Sequence, residues 1–96
     1  MEAHGHAGFA PQGQDIVCAG VSALAFAAAE YLELMEVQGK LEQEPVLMME
    51  PGEIRLECLP KERSQEEAEQ VFRLLEIGCR RIAQSYPNNV NVADAT

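Results

Sequence analysis

The spacing of apolar positions changes twice along this 96-residue chain. From Ile16 to Ala29 nearly every position is apolar and many are alanine, so a helix there is apolar on all sides and needs close packing by other elements. Asp15 ahead of the run suits an N-cap, and Gly39 beyond it suits a stop. Glu30, Glu33 and Glu36 give the second half a solvated side. The pattern predicts a helix from Ile16 to about Val37, buried in its first half. Farther on the period drops to two, as Ile54, Leu56 and Cys58 alternate with Glu53, Arg55 and Glu57. Val46 to Met49 and Ile54 to Leu59 flank Glu50-Pro51-Gly52-Glu53, where Pro and Gly fit the centre of a type II turn. This stretch reads as a β-hairpin, ended by Pro60. The helical period then returns: Ala68, Val71, Phe72, Leu75, Cys79, Ile82 and Tyr86 form one stripe. Ser64-Gln65-Glu66-Glu67 opens that helix as a capping box, and Pro87 closes it.

The ends carry shorter signals. Met1 to Gly5 reads as the end of a strand that delivers His6 into a loop. Ala7 to Gln14 holds Gly8, Pro11 and Gly13 without periodicity and reads as a flexible surface loop. Asn88 to Ala93 reads as a short final strand, with Val90 and Val92 facing the same way. The order is that of an α+β fold, a small two-layer domain in which a β-sheet with a hairpin packs against two α-helices. A chain of this length supports one core, so residues 1–96 form one domain. One hairpin and one further strand make a thin sheet, which calls for a strand upstream or for a second subunit.

Charge narrows the partners. Sixteen acidic residues against seven lysines and arginines leave a net charge of −9, which repels nucleic-acid phosphates and suits a basic protein partner. Three cysteines without a C-x-x-C spacing match neither a disulfide framework nor a zinc knuckle, and they point to a reducing compartment, the cytoplasm. The apolar run from Ile16 to Ala29 falls short of the roughly 20 residues of a membrane span. No basic segment precedes it, so it reads as a core helix rather than a signal peptide, and no membrane partner is expected.

Candidate chemistry gathers around Cys18, in the first turn of the first helix. Unpaired backbone N–H groups and the positive end of the helix dipole favour a thiolate there, the nucleophilic form. The competing reading is a small core residue, the reading that also fits Cys58 and Cys79 on their predicted core faces. His6 lies across the loop and can act as the base that takes the thiol proton and returns it to a leaving amine. His4 reads as an exposed terminal residue. Helix-start N–H groups, that of Cys18 included, would form an oxyanion hole. Asp15 either orients His6 or is spent in capping, and Ser22, one turn after the thiol, either reaches the site or bonds within its own helix. Gly8, Phe9 and Gly13 belong to a loop that could move to admit a peptide substrate. His4, His6 and Cys18 match no recognised metal spacing, and neither metal nor cofactor is expected.

Gly5-His6-Ala7-Gly8, followed by Gly13-Gln14-Asp15-Ile16-Val17-Cys18-Ala19-Gly20-Val21-Ser22-Ala23-Leu24, closely resembles the bacterial ribosomal-processing cysteine protease (Prp) family. The resemblance implies a cysteine endopeptidase that removes the N-terminal extension of a large-subunit ribosomal protein during ribosome assembly. It assigns the nucleophile to Cys18 and the histidine to His6, with Gly5, Asp15 and Ser22 as the recurrent supporting positions. It further implies a small cytoplasmic homodimer, a sheet packed on two helices, and a mobile loop between the dyad residues. Members carry a further hairpin before the Gly-His pair, whereas four residues precede it here, so the first strands are expected to be truncated. The rival reading is a non-catalytic module that binds a ribosomal protein or an assembly factor without cutting it.

Overall fold

The computed structural model describes residues 1–7, 14–50, 53–86 and 90–92, with the backbone alone for 4–7, 14, 15 and 90–92. Along the chain run β1 (Glu2–Ala7), α1 (Gln14–Val37), β2 (Val46–Glu50), β3 (Glu53–Glu57), a 3-10 turn (Glu62–Ser64), α2 (Gln65–Ser85) and β4 (Val90–Val92). The strands form one antiparallel sheet in the order β2-β3-β1-β4. This is the expected α+β layer of sheet on two helices. The sheet is less thin than the sequence suggests, because β1 is a complete strand inside it. It pairs with β3 through Ala3↔Leu56 and Gly5↔Ile54, and with β4 through His6↔Asn91.

The hairpin follows its pattern. Glu50↔Glu53 closes the ladder, leaving Pro51 and Gly52 as a two-residue connection that lies outside the described residues. Leu56 and Cys58 are buried and Ile54 half-buried, while Glu53 and Arg55 are exposed. One face of the sheet thus meets the helices.

α1 ends where Gly39 takes a φ of 75°. Lys40 N–H donates to Met35 O (2.9 Å) and Gly39 N–H to Glu36 O (2.9 Å), the paired bonds of a Schellman motif. Expectation and structure part in the first half of α1. Val17, Val21, Ala25, Ala28, Leu32 and Met35 enter the core, but Ile16, Phe26 and Leu34 are exposed, as are Ala19, Ala23 and Ala27. The helix is buried on one face only, because a single sheet and a single helix can cover no more of it. By length and composition Ile16–Val37 could also cross a membrane, a longer window than the apolar run to Ala29 suggests. Here its inner face is spent on the protein core.

α2 carries the predicted stripe. Ala68, Phe72 and Leu75 are buried, and Val71, Cys79, Ile82 and Tyr86 pack beside the two apolar clusters. The capping box does not form. Ser64 occupies the N-cap without a side-chain cap bond, and the Glu67 carboxylate reaches α1 instead. It accepts from the Tyr31 hydroxyl (2.7 Å) and from Lys40 Nζ (2.9 Å). The 3-10 turn before α2 and the nearby ammonium outcompete a reach back to the cap. Pro87 lies outside the described residues, as do Asn88, Asn89 and Ala93.

Candidate active site

Among the described residues two apolar clusters form, and the smaller one positions the candidate thiol. Val17 and Val21 form its buried centre, and Cys18, Ile54, Cys79, Ile82 and Tyr86 pack against it. Ile54 lies on β3 directly opposite Gly5 of β1. The strand end that carries Gly5 and His6 and the first turns of α1 therefore meet at one hydrophobic contact. The six residues between them, 8–13, lie outside the described residues, and Gly8, Phe9 and Gly13 with them.

Cys18 is half-buried and free, neither exposed on a solvent face nor sealed in the core. α1 begins at Gln14, one residue before Asp15, so Asp15 sits inside the first turn rather than at the N-cap, and Cys18 is the fifth helical residue. Gln is a good helix former, and a carboxylate in the first turn is stabilised by the dipole without capping, which accounts for the earlier start. The change has a chemical consequence. As the fifth residue of an α-helix, Cys18 has its own N–H committed to the i−4 carbonyl, and only the first-turn donors before it stay outside the ladder. Ser22 is half-buried, one turn beyond the thiol. The side chains of His6, His4 and Asp15 lie outside the described atoms; their backbones are placed in β1 and in the first turn of α1.

The other thiols have a different character. Cys58 is buried just beyond β3 and Cys79 half-buried on α2, and burial pushes both above the ordinary thiol range. Both belong to the core, as their faces in the sequence suggest. Among the described residues no group of three or more His, Cys, Asp or Glu could hold a metal ion.

Two features escape sequence reasoning. The Tyr31–Glu67–Lys40 cluster was hidden by the capping-box pattern, which assigns Glu67 to its own helix. Tyr86 reads as the last core position of α2, and nothing in its spacing shows that it arrives beside Val17 and Cys18. A groove of about 300 Å³ between the helices, lined by Leu24, Ala27, Tyr31, Val71 and Leu74 among others, opens elsewhere and does not include Cys18.

No curated protein and no solved structure matches the chain. The family model of the cysteine protease Prp does, over residues 1–91. That match takes in both helices and reaches all four strands, and the chain belongs to the Prp family of cysteine proteases.

Proposed function

We propose that this protein is a cytoplasmic cysteine endopeptidase that removes the N-terminal extension of a large-subunit ribosomal protein precursor, using Cys18 and His6. The observation that carries the reading is the half-buried free Cys18 on the Val17–Val21 cluster, where β1 brings the backbone of Gly5 and His6. In this mechanism His6 accepts the thiol proton and the sulfur attacks the scissile carbonyl carbon. The C–N bond then breaks as His6 returns the proton to the departing amine. Water cleaves the thioester and restores the thiol. Asp15 and Ser22 orient the groups around the thiol, and residues 8–13 form the substrate loop.

The apolar outer face of the helical layer supports a homodimer. Phe26, Leu34, Leu74 and Ile77 are all more than half exposed on a chain with net charge −9. Sedimentation of the purified chain tests that part. The activity is tested by incubating a ribosomal protein precursor with the wild type and with Cys18→Ala and reading product masses. The wild type yields the shortened protein, and Cys18→Ala yields none. Cleavage by the Cys18→Ala protein would overturn the assignment.

A further inference from the structure

Acyl transfer needs hydrogen-bond donors for the oxyanion; the Cys18 N–H belongs to the helical ladder, which leaves the first-turn N–H groups before it. The structure offers another at the same cluster. α1 and α2 run antiparallel in close contact: a methyl on Gly20 would lie 3.1 Å from Ile82 Cδ1, and one on Gly78 would lie 2.6 Å from Leu24 Cδ1. Continued to the end of α2, this register brings Tyr86 level with the first turns of α1. Tyr86 packs against the Val17–Val21 cluster, as Cys18 does. Its backbone is fixed by Tyr86 N–H donating to Ile82 O at 2.9 Å, and the ring is half-buried. Four residues on, β4 begins, and Asn91 of that strand pairs with His6. The end of α2 is therefore tied both to the thiol's helix and to the histidine's strand.

The phenol has no hydrogen-bond partner among the described residues. No side-chain oxygen of the described half-buried residues is sealed from solvent without a partner, so water reaches this hydroxyl, and a substrate oxygen can take the water's place. Ser22 is the other hydroxyl close to Cys18 in the chain, but a helical serine can bond back to a carbonyl in its own helix. A phenol at the end of a rigid ring cannot reach its own backbone.

We infer that Tyr86 is a further catalytic residue, whose hydroxyl donates a hydrogen bond to the substrate carbonyl oxygen as negative charge develops on it during attack by Cys18. The proton stays on the phenol; the bond stabilises the oxyanion and is released when the C–N bond breaks. The inference rests on the proposed protease reading and goes beyond it in assigning the donor.

Two reagents separate this role from packing and from the wider reading. p-Nitrophenyl acetate acylates a thiol through an oxyanion, whereas iodoacetamide alkylates it by displacement without one. Labelling of the full chain is followed by peptide mass, because Cys58 and Cys79 are free as well. Tyr86→Phe keeps the ring and is expected to slow acylation of Cys18 at least about tenfold, with alkylation unchanged. Tyr31→Phe, which alters an exposed phenol bonded to Glu67, is expected to change neither rate. Equal acylation by wild type and Tyr86→Phe would overturn the assignment. So would a parallel loss of alkylation, since that marks a packing role. Were wild-type Cys18 acylated no faster than Cys79, the protease reading would fall, and the donor role with it.

Discussion

Gly39 is a position where one atom decides the local structure. Its φ of 75° lies in the left-handed region, where a Cβ is strained, and no neighbour lies within 4 Å of the place a Cβ would occupy. Substitution there is a backbone effect free of packing. Gly39→Ala is expected to lower stability by about 1 kcal/mol, read as a shift of the urea midpoint at constant slope. Unchanged stability would mean that α1 can end without its Schellman bonds. Cys18 shows the opposite situation, since under the proposed function its role as nucleophile rests on motif and placement together. The spacing from His6 to Cys18 was readable in the chain, whereas the commitment of its N–H was not, because that depends on a helix start two residues earlier than the Asp15 signal implies.

At the scale of elements, the helix pair is the most exacting contact. Gly78 lets Leu24 approach so closely that an added methyl would overlap its Cδ1 and crowd its Cδ2. Alanine gains about 1 kcal/mol of helix propensity over glycine, but forcing atoms into a filled contact costs about 1–3 kcal/mol. Gly78→Ala is therefore expected to destabilise. Combined with Leu24→Ala, the loss is expected to be smaller than the sum of the two single losses in urea unfolding. The Tyr31–Glu67–Lys40 cluster joins α1, its C-terminal turn and α2. The Tyr31 hydroxyl first, then the Lys40 ammonium, hold the Glu67 carboxyl below its ordinary value. A depressed carboxyl stabilises the fold above its unfolded value of 4.5 and ceases to as pH falls through the lower folded value. Acid unfolding of Glu67→Gln is expected to begin from a lower plateau and to depend less on pH in that window than the wild type.

The elements were legible to the extent that each declared its own period. The strand alternation at Ile54, Leu56 and Cys58 and the stripe from Ala68 to Tyr86 are local patterns, and both hold. α1 was harder because an all-round apolar run carries no sign of which face turns inward; that is set by a sheet and a helix it has yet to meet. Glu67 misled for the same reason. A capping box is a local bond, and Lys40, 27 residues earlier, offers a charge-assisted one.

For the whole molecule the dominant property is charge. A net −9 spread over so small a body attracts a basic partner from a distance and repels polyanions. Under the proposed function, cleavage of a basic precursor is expected to slow as salt rises from low to physiological strength, measured as kcat/KM. A rate indifferent to salt would show that recognition is by contact alone. Topology bears on the timing of assembly. β1 finds one neighbour in β3, midway along the chain, and the other in β4, close to residue 91. At translation speeds of about 5–20 residues per second, the roughly 35 residues from β3 to β4 take about 2–7 seconds to synthesise. Gly5 gains its second neighbour, and His6 its partner Asn91, only when the late segment arrives, so the strand that carries them is the last part of the sheet to be completed. Under the proposed function, a protease of ribosomal components is thereby kept blunt while it is still being threaded out of a ribosome.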